Sequence, residues 1–342
     1  MRKAWWSWIV LASLAPLACQ PHAGTPTPDA HRAVPLTVEP TPQGPSRMAS
    51  GEPAQTATVG PAVAPPEAQA ATPPPPPPPP SYDLAADLGA RKAKATLELG
   101  RSTVTRPVGG VFLLIGAPGW QGQAFQASVG LVDSALAGFA NGRFDKPPRE
   151  AISVYLFADA ASYNAYCKKT WGEACMSIYG FYQPGTRAMV MNAGLGLGTL
   201  THELAHPFFE SDFPDGPTWL NEGIASLYEA PVIPKKGEIT GAKNWRLPRL
   251  VRGLAGERDR ATMSVLFGMS DATFRGAGED LHYATARYLC QWLDQQRKLW
   301  PFYHAFRDHL ADDPSGEKSF TEVMGKSPRE AAPAWERWVK SL

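Results

Sequence analysis

The sequence carries almost no net charge: 33 Lys and Arg residues stand against 32 Asp and Glu, for a formal charge of +1. That gives no electrostatic case for nucleic acid or for a strongly acidic partner. A phosphate-cradling loop is missing too, because "GLGLG" at Gly194 to Gly198 lacks both the lysine and the spacing. Cysteine is scarce, with four residues and no pair at a zinc-finger spacing. Beyond the N-terminus no apolar run approaches the length of a membrane-spanning helix.

What is present begins with "MRKAWWSWIVLASLAPLAC", where Arg2 and Lys3 precede an apolar run ending in small residues. This is the layout of a secretory signal peptide over residues 1–19. Cys19 closes it in "PLAC", which resembles a bacterial lipobox, although Pro16 stands where leucine is usual. A lipid on Cys19 would hold the protein on a membrane surface without spanning it, and would be its one membrane contact. Ordinary signal cleavage is the alternative. Residues 20–80 are rich in Pro, Ala, Thr and Gly and end in eight consecutive prolines, Pro73 to Pro80. With so few large apolar residues they are expected to be a disordered, extended linker. Residues 81–342 are left for the folded part.

In an exported chain Cys167 and Cys175 are the expected disulfide partners, with two free thiols as the alternative. Cys290 lies in an apolar helical pattern and reads as a small core residue. "GGVFLLIGAP" (109–118) and "AISVYLFAD" (151–159) read as strands, with helical spacing over 123–140 and 163–169. "YGFYQPGTRAMVMN" (179–192) reads as a hairpin turning at "QPGT". Helices are expected from Thr199, over 217–228, and over 281–298, 301–310 and 328–342. Strands come first and helices last, so the fold class is α+β, with an N-terminal mixed sheet and a mainly helical C-terminal part.

The chemistry is concentrated in "LTHELAHPFF" (200–209). On a helix His202 and His206 share one face a turn apart, where two imidazoles can grip one zinc ion. Glu203 projects beside them, placed to take a proton from a water that zinc has acidified as it attacks a carbonyl. The motif alone does not separate a zinc pair from a solvated helical face. A third ligand is offered by Glu222 in "PTWLNEGIASLYE", a carboxylate among apolar neighbours that needs a partner. Two His and one Glu leave a fourth position open. Pro207 would clash with the carbonyl of Glu203 and lacks an N–H, so the helix is expected to kink or end just past His206.

"HELAH" followed by "TWLNEGIASLYE" resembles the gluzincins, most closely the active-site region of the gluzincin aminopeptidases. The residues that fit are His202, Glu203, Leu204, Ala205, His206, Trp219, Leu220, Asn221, Glu222, Gly223 and Ala225. The resemblance implies a zincin-like fold, one Zn2+ held by His202, His206 and Glu222, and Glu203 as general base. It also implies a downstream tyrosine that opens a helix and meets the oxyanion. Tyr283 in "EDLHYATARYLCQWL" is placed like that residue, with Asp280 as N-cap, and a packing tyrosine or His282 in the same role are the alternatives. Ser226 matches the place where some relatives keep a partner for a zinc histidine, and Asn221 reads as a structural contact.

The likeness covers roughly residues 189–293 and has limits. Fifteen residues separate His206 from Glu222, fewer than in those aminopeptidases. Their GxMEN exopeptidase motif is absent, "MVMNAG" standing in that region, and so is their large N-terminal β-domain. The shorter gluzincin-like domains called peptidase MA-like are the better comparison. The expectation is an exported zinc metallopeptidase acting on a peptide or protein, with the hairpin's edge strand as a bed for an extended chain. Two rivals are a zinc-bound, non-catalytic surface scaffold and a metal-free interaction domain on a proline stalk. His304 and His309, five apart, have the wrong spacing to share a metal.

Overall fold

The computed structural model describes residues 82–342. The expected signal peptide, the lipid site at Cys19 and the linker over residues 20–80 lie outside the described residues. Five strands form one sheet: β1 (Val104–Val108), β2 (Phe112–Gly116), β3 (Ile152–Phe157), β4 (Gly180–Gln183) and β5 (Ala188–Asn192). Their order is β1-β2-β3-β5-β4. The pairs β2–β3 and β3–β5 are parallel, whereas β1 and β4 run antiparallel at the edges, so the sheet is mixed.

The inner strands are buried along their whole length and mostly apolar because both sheet faces are covered. Phe112, Leu114, Val154, Leu156, Met189 and Met191 point to one face. They pack on α2 (Gly122–Phe139) and α4 (Gly198–Asp212). Leu113, Ile115, Tyr155, Phe157 and Val190 point to the other, under α1 (Leu84–Leu99) and α3 (Ala160–Trp171). The hairpin expected at "QPGT" is β4–β5, its turn made by a 3-10 segment over Pro184–Thr186. Cys167 and Cys175 are disulfide-bonded.

After α4 the chain is mainly helical, as expected: α5 (Thr218–Leu227), α6 (Leu247–Gly256), α7 (Arg258–Ala261), α8 (Asp271–Phe274), α9 (Glu279–Gln295), α10 (Leu299–Asp308), α11 (Glu317–Met324) and α12 (Pro328–Ser341). Between α5 and α6 sits a two-stranded ribbon of β6 (Pro231–Val232) and β7 (Thr240–Gly241). Cys290 is buried on α9, and burial pushes its thiol well above the usual range. Among the described residues no helix is long and apolar enough to cross a membrane.

Two expectations about helix ends are corrected. Of the kink or end expected at Pro207, the end is excluded, because α4 runs through Pro207 to Asp212. The proline removes one backbone donor. The turn beyond it is held instead by burial of Phe208, Phe209 and Asp212. Helix α9 is entered through Gly278 in a left-handed conformation, so Asp280 is inside the helix and not its N-cap. Its carboxylate is taken by Arg249 Nε at 2.5 Å.

Candidate metal centre

Helix α4 packs on α2 and the sheet and presents His202, Glu203 and His206 to a cleft of about 890 Å³. Helix α5 crosses beside it and delivers Glu222. The glycine of "WLNEG" has a local cause: a Cβ on Gly223 would lie 2.8 Å from Cys290 Sγ and 3.0 Å from the Ala286 carbonyl. Only glycine lets α5 and α9 approach this closely. That approach carries Tyr283, on the first turns of α9, to the same cleft as Glu222.

The three donor atoms expected to bind metal come together within 4.8 Å of one another. His202 Nε2 is 3.4 Å and His206 Nε2 4.0 Å from Glu222 Oε2. Ligands about 2.0–2.1 Å from a tetrahedral zinc ion stand roughly 3.3 Å apart, so the set is close to closing on such an ion. Three further observations test the fit. Glu222 Oε2 is buried and accepts no hydrogen bond, an expensive state for a carboxylate oxygen without a cation. His206 Nδ1 donates to Asn221 Oδ1 at 2.9 Å, which leaves the Nε2 lone pair free. His202 Nδ1 faces Glu229 Oε1 at 3.4 Å, which favours the same tautomer. A ring of two imidazoles and a carboxylate with free lone pairs aimed at one point suits zinc.

The electrostatics agree. Burial alone would lower the pKa of His202, yet Glu222, Glu229 and Glu203 around it raise it to about 10. Burial likewise pushes Glu222 up, but His206, His202 and Arg275 hold it well below the usual carboxylate range. These groups attract positive charge to the point between them.

Sequence reasoning missed two residues here. Glu229, just past α5, stands beside His202 and is gripped by Arg246 through Nε at 2.9 Å and a terminal nitrogen at 2.6 Å. Despite burial, its bonds to His202 and Arg246 hold its pKa down at about 2. Its approach to α4 depends on Gly198, where a Cβ would fall 2.4 Å from the Glu229 carbonyl oxygen. Arg275, directly after α8, donates to Glu222 Oε1 at 2.6 Å and with its other terminal nitrogen to the Tyr283 hydroxyl. Neither residue belongs to the two motifs. The "YE" that ends "SLYE" was the only local signal for Glu229.

The expectation for Ser226 is corrected: its hydroxyl is buried without a hydrogen-bond partner, and Glu229 takes the place beside His202. Asn221 is more than a packing contact, since it fixes His206. His282 is buried, with Nδ1 against the Phe274 carbonyl at 3.0 Å, and does not line the cleft, whereas Tyr283 does. Burial and Glu222 push the Tyr283 hydroxyl far above its ordinary pKa, so it is a neutral donor. His304 is held by the Arg143 carbonyl at 2.7 Å, and His309 is exposed.

No protein-family model matches the chain, and no curated protein matches it. The geometry therefore speaks alone, and His202-Glu203-x-x-His206 with the distal Glu222 is a gluzincin-type metal-binding arrangement with the spacing of a zinc metallopeptidase site.

Proposed function

We propose that the protein hydrolyses peptide bonds with one zinc ion held by His202, His206 and Glu222. The observation that carries this is the buried, unpartnered Glu222 Oε2 facing two imidazole nitrogens, with Glu203 against the same point at 3.9 Å from His206 Nε2. When bound, zinc supplies Lewis acidity, polarising a carbonyl and acidifying water. Glu203 takes a proton from the attacking water and passes it to the amine nitrogen as the C–N bond breaks. Tyr283 donates its hydroxyl hydrogen to the carbonyl oxygen as that oxygen gains negative charge. Arg275 can only donate, so the Tyr283 oxygen accepts from it and the phenol hydrogen is left for the substrate. Among the described residues β4 pairs only on its β5 side, and it lines the cleft, which supports an extended peptide as substrate. The signal-peptide layout over residues 1–19 and Cys19 in "PLAC" support an activity at the cell envelope, by a lipid anchor, or outside the cell.

The test is metal analysis and digestion of a peptide library with wild type and Glu203→Gln together. Both are expected to hold one equivalent of zinc, and the variant to lose about 10³-fold in rate. Zinc in both with no cleavage by wild type would instead establish the non-catalytic scaffold. Protein without zinc would leave the metal-free interaction domain.

A further inference from the structure

Exposed apolar surface is unevenly placed on this molecule. Nine large hydrophobic side chains are exposed among the described residues, and Met176, Tyr179, Leu195 and Trp245 line the cleft that holds His202 and Glu203. Ile178 lies between the first two in sequence and is exposed beside the cleft without lining it; Met176 is 76 % exposed. Concentration of this kind marks a contact surface, since scattered single residues would carry no such meaning.

The segment that bears three of these side chains is also held firmly. The Cys167–Cys175 disulfide ties its start to α3. Tyr163, buried on α3, donates its hydroxyl to the Ser177 carbonyl at 2.7 Å. Asn192, buried at the end of β5, donates Nδ2 to the Ile178 carbonyl at 3.0 Å and its backbone N–H to the Tyr179 carbonyl at 2.8 Å. Backbone anchored on one side by buried groups leaves the side chains of Met176, Ile178 and Tyr179 with no core to enter. A wall ordered before binding loses little entropy when a partner meets it. The chain then passes directly into β4, the edge strand of the same cleft. Arg246 and Arg275 in that cleft are taken by Glu229 and Glu222, whereas Glu203 and Glu210 have no Lys or Arg partner among the described residues, which disfavours acidic side chains there.

We propose that this wall sets the substrate class. It selects extended polypeptide segments carrying a large aliphatic or aromatic side chain beside the bond to be cut, as unfolded protein chains do. It selects against short peptides of small and acidic residues, such as those of a cell wall. The inference rests on the peptidase reading for the word substrate, but the docking itself needs no hydrolysis.

The test uses zinc-loaded, full-length Glu203→Gln and two fluorescent peptides that differ only in Leu and Phe replaced by Ala. Anisotropy should show the Leu/Phe peptide binding about tenfold tighter. Met176→Ser combined with Tyr179→Ser should bring the two affinities together while zinc content and far-UV circular dichroism stay at the parent values. Both positions are exposed, so the fold is not at stake, and Leu195→Ser on a separate segment provides an independent second variant. Equal affinity of both peptides for Glu203→Gln, or a difference that survives all three substitutions, overturns the inference. A wild type that cleaves without preferring large apolar residues overturns it too and leaves the peptidase reading standing. Selective binding by Glu203→Gln beside a wild type that cleaves nothing does the reverse.

Discussion

Helix α4 carries a buried cluster of ionisable groups near each end, and the two are completed differently. At the C-terminal end Asp212 is 1 % exposed, yet each carboxylate oxygen has its partners. Oδ1 accepts from the Lys146 backbone at 3.0 Å, and Oδ2 accepts from Tyr303 at 2.9 Å. Arg307 donates to both, at 2.9 and 2.8 Å. Two to three turns earlier, His202 Nε2 faces Glu222 of α5, whose Oε2 is buried too and accepts no hydrogen bond. Both clusters defy the expense of burying charge. One does so by saturating every oxygen, and the other keeps free lone pairs pointed at a common place. Incomplete partnering, and not burial of charge, is what marks the functional end.

The largest effects should therefore part company. Asp212→Ala leaves the Tyr303 hydroxyl and the Lys146 N–H without an acceptor, while Arg307 keeps Asp145 and Asp308, and is expected to lower the unfolding free energy by about 1–3 kcal/mol in urea titrations. Zinc per folded molecule should not change. Glu222→Gln should lose zinc, and its cost to the metal-free chain should be confined to the pH range in which Glu222 supports a protonated His202. Gln still accepts from Arg275, so no buried donor is abandoned. If both substitutions cost stability alike, or both lose zinc, the contrast between the two ends is false.

How much of this was legible in the sequence follows from the range of each interaction. The α+β class, the β4–β5 hairpin, the Cys167–Cys175 bond and the His202, His206 and Glu222 cluster all depend on periodicity, turn chemistry or short spacing. The helix over 84–99 and β1 went unread. α1 is only weakly amphipathic, with Ala95 its one fully buried residue, and β1 is an edge strand with Arg106 and Pro107 exposed in it. Pro207 and Asp280 misled in the same way. Local rules gave Pro207 a kink or a helix end and Asp280 an N-cap, and tertiary packing of Phe208 and Phe209, or the ion pair with Arg249, set aside the end and the cap. Arg275 lies 53 residues from Glu222, in a stretch without periodic signal. Only the fold brings it to the site.

The partners that sequence could not show grade the comparison further. Glu229→Gln weakens the charged support behind His202, and zinc affinity in chelator competition should fall about 10–100-fold. Asp212→Asn, matched in chemistry at the other end, should leave that affinity alone. Arg275→Gln removes the donor to Tyr283 and to Glu222 Oε1. A fall in kcat of about tenfold is expected, larger than the change in KM, with partial rescue by Arg275→Lys. An unchanged kcat would reduce Arg275 to a surface ion pair.

The smallest effect is a pH slope confined to the functional end. In metal-free protein His202 titrates at about 10, against an ordinary value of 6.5 in the unfolded chain. Below pH 6.5 both states hold the proton, and the stabilisation from Glu222 and Glu229 around the imidazolium is complete. Between pH 6.5 and about 10 the unfolded chain releases its proton while the folded one keeps it, so stability declines as pH rises. Thermal melts of chelator-treated protein should show a midpoint falling across that window, and His202→Gln should flatten it. With zinc on Nε2 there is no proton to lose, and the loaded protein should lack the slope. Contributions from Asp212 and Arg307 are common to both samples and cancel in the difference. A decline of equal steepness with and without zinc would mean that the ion does not sit on His202.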